Sequence, residues 1–496
     1  MASPDRMRRW RQVASRELQR PELDVLLAAV VAAGTILAGA VFGRSDGALE
    51  ASCVAAAAAV VTILLARKAP LVAFGVLFGV ATLSRLAIDL PVGRVRVEQP
   101  AILGLFLLLL LQGRLRVFRP IAIAVSVACF GVYFAVMVLS SILEAPQIAV
   151  SARLAIWTGI SMLGGVVAFA LVWGHEGEEQ RALSWIGLLQ GLFGIGIAVA
   201  FFAFGPDGIP GMQISPGELP KVASVDYEAN LYASLLGFLA PFALEEWRRR
   251  RGVVEAIVAA VVIIALGLGV TRGAYAGLLV GLAVYLGILF ARRIPRGVVV
   301  RLAGLAAVAC LAAVVNATAL LPAERPSPAP SPIAVASGSP GTSPAPSLSP
   351  TPTPTPAPAV DTLTWRVDRI PTAVSDIRTS PLIGLGAASF GQRHLYGYPP
   401  TIPDYIGMQS LVAVYETGIL GAAALGLGFL ILLVLLAWKS GPNVGRYAAY
   451  AGAISSFLVS YQVTNALWFS INWLIVGAAL ALVASSSASK PATEAP

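Results

Sequence analysis

Apolar residues run along this chain in long stretches, separated by short segments that carry the arginines, prolines and many of the glycines. A helix needs about 20 apolar residues to cross the hydrocarbon of a bilayer, and fourteen stretches qualify as candidates. They are 25–42, 51–65, 69–83, 101–111, 121–143, 154–173 and 183–204, then 229–244, 253–270, 274–290, 302–321, 411–438, 448–463 and 467–483. The pattern predicts an all-α fold, a polytopic bundle of transmembrane helices with about 14 spans, 12 being the lower count. Segment 101–111 is the shortest and crosses only with help from flanking residues.

The basic residues test the count. With the N-terminus inside and every candidate crossing, the inner segments hold 23 of the 35 Lys and Arg residues. Lys and Arg accumulate on the cytoplasmic side, so the parity is self-consistent. Omitting 101–111 alone would put Arg248 to Arg251 outside, so it is kept. Residues 1–24 then form a cytoplasmic basic tail against anionic headgroups, too long and too basic for a cleaved signal. Residues 25–321 hold helices 1–11, 411–484 hold helices 12–14, and 485–496 form a second cytoplasmic tail. Between them, 322–410 is one large extracytoplasmic loop. Its part 326–358 has 12 prolines in 33 residues and no apolar face, which predicts an extended, disordered tether. Its part 361–407 contains aromatics, arginines and the segment PLIGLG, and is expected to fold.

Composition narrows the class. The chain is 57% hydrophobic and 12% charged, with a mean hydropathy of +0.79, whereas soluble domains are about 45–50% apolar and about 25% charged. A disulfide scaffold, a disordered chain and a nucleic-acid binder are excluded as the main reading, and the net charge of +9 belongs to the inner-face bias. Cys53, Cys129 and Cys310 are odd in number, far apart and inside apolar runs, so they read as small buried hydrophobes, not as a disulfide or metal set. P-loop, CxxC, HExxH and GxSxG patterns are all missing.

Polar groups at the membrane edge are expensive and point to sites. On the outer side these are Asp226, Glu228, Asn230, Arg272, Arg366, Arg369, Arg378 and Glu416. Arg272 stands in GLGVTRGAYAG between two apolar runs, with Gly273 expected to let the backbone bend. A planar guanidinium there suits a phosphate or pyrophosphate; the alternative is an arginine snorkelling at the interface. The stretch WRVDRIPTAVSDIRTSPLIGLG predicts an amphipathic helix on the membrane, with Ile370, Val374 and Ile377 toward lipid and Pro381, Gly384 and Gly386 ending it. Its arginines either face a ligand or pair with Asp368 and Asp376. His175 falls in a cytoplasmic loop, and His394, in GQRHLYGYPP, is the outer imidazole.

Taken in order, these pieces resemble the O-antigen ligase and polymerase superfamily of bacterial membrane glycosyltransferases. VDYEANLYASLLGFLAPFAL resembles the family's Asn-containing helix start, with Asn230 and Pro241 in place. TRGAYAGL resembles its Ser-Arg-Gly-Ala element, Thr271 replacing serine. Arg366 with SPLIGLGAASF resembles the arginine and Pro-Leu-x-Gly-x-Gly element after the large loop, and YETGILG resembles Glu-Thr-Gly-x-x-Gly. Two positions depart. The His-Asn pair nine residues before the glutamate reads Gly407 and Met408, and the aromatic after the first loop arginine reads Ile370.

The resemblance implies an enzyme without metal or other cofactor in a bacterial cytoplasmic membrane. Its donor would be a glycan on undecaprenyl pyrophosphate, and its acceptor a hydroxyl of a glycan or glycolipid at the outer face. It implies catalytic roles for Arg272, Arg366, Glu416, Asp226 and His394, and substrate binding by Arg369, Arg378, Glu228, Asn230 and Tyr275. Ligation and polymerisation both stay open. So do a transporter or flippase of a lipid-linked sugar and a peptidoglycan-type polymerase, although the sequence shows neither the internal repeats nor the mid-depth charges that transporters favour.

Overall fold

The structure is a computed structural model. It describes residues 21–42, 47–83, 86–90, 93–113, 121–175, 177–205, 212–213, 221–224, 228–292, 304, 366–394, 406–439, 441 and 443–488. The apolar runs are helices: α1 (Pro21–Phe42), α2 (Ala48–Lys68), α3 (Pro70–Ala81), α4 (Gln99–Leu111), α5 (Ile121–Leu143), α6 (Ile148–Val172) and α7 (Glu178–Phe204). Next come α8 (Ala229–Arg250), α9 (Val253–Leu268) and α10 (Arg272–Ala291), then two short loop helices, α11 (Ile370–Ile377) and α12 (Ser389–Arg393). The last three are α13 (Gln409–Trp438), α14 (Val444–Ser460) and α15 (Ser470–Ala488), with a 3₁₀ turn at Tyr461–Val463. Two antiparallel hairpins, β1 (Ala87–Leu90) with β2 (Gly93–Arg96) and β3 (Met212–Gln213) with β4 (Lys221–Val222), join helices at their ends.

Thirteen of the predicted spans coincide with helices. The span 302–321 apart from residue 304, the tether 326–358, residues 1–20 of the N-terminal tail, the C-terminal residues beyond 488 and Cys310 lie outside the described residues. Among those described, α2, α5, α6, α7, α10 and α13 are long and apolar enough to cross a membrane, and α3, α4 and α9 are shorter. Proline in the first turn of α3 and α4 sets where those two begin. The outer shell is apolar: α7 exposes Leu189 and Phe202, and α13 exposes Leu427 and Leu430. The chain is an all-α, multi-pass membrane protein. The cysteine expectation is corrected for Cys53, which is exposed on α2, and for Cys129, which is half-buried; both sit on helix faces with no inner neighbour layer to cover them fully.

Small residues set the closest crossings. Gly273, Gly277 and Gly281 are spaced four apart on α10 and meet Gly452, Ser456 and Ser460 of α14. A Cβ on Gly281 would lie 2.6 Å from the Gly452 carbonyl oxygen, and one on Gly452 would lie 2.7 Å from that of Gly281. Lipid tails are as apolar as leucine, so helices in a bilayer gain by such close backbone approach. Gly165 of α6 against Gly477 and the Trp473 carbonyl of α15 repeats the device.

A break in a membrane helix

Helix α13 is interrupted at Gly418, whose φ of 61° and ψ of −171° are not helical. The freed backbone groups are taken by residues 381–386, the PLIGLG segment, lying alongside. Leu385 N–H donates to the Tyr415 carbonyl (2.8 Å) and Gly386 N–H to that of Glu416 (3.1 Å). Past the break, Ile419 N–H donates to Pro381 O (2.9 Å) and Leu420 N–H to Leu382 O (3.1 Å). Broken helices survive in membrane proteins where the loosened groups are satisfied in this way. Gly384 and Gly386 have φ of 77° and 93°, and a Cβ on Gly384 or Gly418 would strike the other strand's backbone.

Around this break the loop is pinned to the bundle. Ser140 Oγ of α5 donates to the Glu416 carbonyl (2.7 Å), and Ser141 Oγ accepts from Ala387 N–H (3.0 Å). The Glu416 carboxylate is buried and accepts from Ala388 N–H at 2.8 Å. Gln392 of α12 donates to Ser151 Oγ and accepts from Gln147 N–H, tying the loop to the start of α6.

His394 follows α12. Its Nε2 lies 2.5 Å from Asp376 Oδ2, and the same oxygen accepts from Tyr415 Oη at 2.7 Å. A carboxylate only accepts, so Nε2 is the donating nitrogen. Ala373, Leu385, Phe390, Ile406, Val412 and Tyr415 form a small core under the pair, with Ile377 packed on it. The amphipathic-helix expectation is thereby corrected. Val374 stays exposed, but Ile377 turns toward this core, because the loop supplies its own dry surface. Asp376, weighed as an arginine partner, serves His394 and Tyr415 instead.

Arg366 is half-buried and lies over Gly407: a Cβ there would come within 2.8 Å of Arg366 Cγ. Gly407 has φ of 74°. Both the backbone conformation and the Arg366 side chain therefore favour glycine at this position. Arg369 is buried at the start of α11, and Arg378 is exposed at its end.

The remaining expected residues that the structure describes sit at the same end of the bundle. Arg272 is exposed as the first residue of α10. The bend before it is made by Val270 (φ 45°), not by Gly273, whose missing side chain instead admits Val463 and the Ser460 carbonyl; that expectation is corrected. Tyr275 Oη donates to Gly267 O at 2.9 Å and so braces the turn. Glu228 occupies the position before α8 and Asn230 its first turn, both half-buried; Asp226 lies outside the described residues.

The Tyr461–Val463 turn links the two groups. Val463 abuts Gly273, while Gln462 Oε1 accepts from Ser410 Oγ (2.6 Å) at the start of α13. Thus the starts of α10, with Arg272, and of α13 meet at one turn. Sequence reasoning missed Asp376 as the partner of His394, as well as Tyr415, Ser140, Ser141 and Gln392. Only Tyr415 carried a signal, standing next to Glu416 in YETG. Among the described residues no group of three or more His, Cys, Asp or Glu is arranged to hold a metal.

Residues 256–426, about a third of the chain, match the family model described as O-antigen ligase. The matched stretch runs from α9 through Arg272, Arg366 and His394 to just past the break at Gly418. No curated protein and no solved structure matches the chain. Residues 256–426 are thus similar to the O-antigen ligase family, which supports the resemblance to the O-antigen ligase and polymerase superfamily.

Proposed function

We propose that the protein is a membrane glycosyltransferase that moves a glycan from a polyprenyl-pyrophosphate donor to a sugar hydroxyl at the outer face of the cytoplasmic membrane. The observation that carries this reading is the break at Gly418. Glu416 and, through Tyr415, the His394–Asp376 pair lie beside it, and Arg366 lies over Gly407 before α13 begins, all inside the matched stretch, which supports a shared role.

In the proposed reaction the acceptor oxygen attacks the anomeric carbon and the bond from that carbon to the pyrophosphate oxygen breaks, its electron pair leaving with the lipid pyrophosphate. Arg366 and Arg272 stabilise the charge that develops there, with Arg369 and Arg378 in support; such preorganised donors are worth about 10²–10³ in rate each. The hydroxyl proton passes to His394. Asp376 orients the ring through Nε2 and favours the imidazolium that forms, as the carboxylate does in other His–Asp pairs. Glu416 holds the loop through Ala388 and acts by positioning.

The test is in vitro transfer from a defined lipid-pyrophosphate oligosaccharide by the full chain in proteoliposomes, read by gel. A ladder indicates polymerisation and one discrete step indicates ligation. Arg366→Ala and Arg272→Ala are expected to lower product by about 100-fold or more with membrane insertion intact. Full product in both variants, or lipid translocation without product, overturns the reading.

A further inference from the structure

On another flank of the bundle, α1, α4, α6 and the β1–β2 hairpin enclose an open pocket of about 430 Å³. Its walls are mainly apolar, with Val31, Leu103, Ile156 and Trp157 prominent, and among the described residues Arg153 is the one charged side chain lining it. The Nε of Arg153 is shut off from solvent and has no hydrogen-bond partner. A buried, unsatisfied charged donor is costly, and it marks a place where a ligand would be stabilising.

The depth suits a lipid. Ser151, half a turn earlier on α6, touches Gln392 of the loop, so Arg153 lies near the bundle end that carries the broken helix. It stands five residues into α6, or about 7–8 Å along the axis at 1.5 Å per residue. That is where a headgroup gives way to acyl carbon.

We infer that this pocket binds an anionic glycerophospholipid of the surrounding leaflet, with its phosphodiester on Arg153 and an acyl chain along Leu103 and Ile156. The charge decides the class. One guanidinium matches the single negative charge of a phosphodiester, whereas a pyrophosphate calls for several cations. The apolar walls gain by covering hydrocarbon, and Nε gains a charge-assisted hydrogen bond. This inference depends on the multi-pass membrane fold and not on glycosyl transfer.

The test is native mass spectrometry of the detergent-purified full chain, titrated with phosphatidylglycerol and, in parallel, with undecaprenyl phosphate. Two variants probe the pocket. Arg153→Ala removes the cation. Gly34→Leu fills the pocket while keeping it; Gly34 lines the pocket and an added Cβ meets no atom within 4 Å, so folding is preserved. Both variants are expected to weaken phosphatidylglycerol binding by about tenfold, Arg153→Ala by losing a charge-assisted contact and Gly34→Leu by excluding the acyl chain, and to leave undecaprenyl phosphate binding unchanged. Equal phosphatidylglycerol binding by the parent and Gly34→Leu overturns the inference. So does an undecaprenyl phosphate adduct that is tighter than phosphatidylglycerol and lost in both variants.

Discussion

Glu245 near the C-terminal end of α8 and Glu416 beside the break in α13 are both buried carboxylates, yet their settings differ. Glu245 is fully buried and receives two hydrogen bonds from Arg248, at 2.6 and 2.7 Å, and one from Tyr285 at 3.0 Å. Gly445 presses so closely on it that a Cβ would overlap the carboxylate. Here a charge is closed on itself, with no room for a ligand. Glu416 instead takes a backbone amide of a loop, and the cations nearby at that end include the exposed Arg272 and Arg378. Glu245 is neutralised within its own helix and tied to α10 through Tyr285; Glu416 shapes a loop, with Arg272 and Arg378 exposed at that end.

The largest effect that tests this contrast is Arg248→Ala. It strands Glu245 in the interior, and breaking a buried pair from one side costs about 3–5 kcal/mol. A clear fall in Tm in detergent is expected. Arg272→Ala, at an exposed position, is expected to leave Tm unchanged while removing transfer. Equal falls in Tm for the two would erase the distinction between the ends.

An intermediate effect is expected for Gly418→Ala. A φ of 61° with ψ near 180° is a region that only glycine adopts readily, and holding another residue there costs about 1–3 kcal/mol. The new Cβ would also strike the backbone of Leu382 and push residues 381–386 away from α13. Faster amide exchange at Leu385 and Gly386 should accompany a loss of product larger than the loss of stability. Unchanged exchange at those two amides would mean that the seating of residues 381–386 does not depend on the break.

The helices were legible because membrane insertion is a local demand: a run of apolar residues of the right length is a helix whatever it packs on, and the run 121–143 coincides with α5. The site was legible only as a set of polar residues on one side. Gly407 read as a missing base, and its φ of 74° with the Arg366 side chain lying over it is visible only in the structure. His394 and Asp376 are 18 residues apart, and the tyrosine that shares the carboxylate is a further 39 from Asp376, so no helical or strand spacing announces the cluster. Gly273 shows the same limit. Its four-residue spacing with Gly277 and Gly281 is in the chain, but its use depends on where α14 lies.

The smallest effects bring the two ends side by side, since a tyrosine hydroxyl donates to a carboxylate in each. Tyr285→Phe removes one of three donors to Glu245 and leaves Arg248 in place. A loss of about 1.5–3 kcal/mol is expected from one hydrogen bond to a charged group, seen as a fall in Tm with transfer per folded molecule unchanged. Tyr415→Phe removes a donor from a carboxylate that is about one-quarter exposed, where water replaces it at little cost in stability. The Asp376 carboxylate then loses one of the two groups that fix its direction, and His394 is held less firmly. The expected result is the reverse of the first: little change in Tm and a reduced kcat, with KM for the lipid donor nearly constant. If Tyr415→Phe lowers Tm as Tyr285→Phe does and spares kcat, the Tyr415–Asp376–His394 cluster is structural glue like its counterpart at the other end.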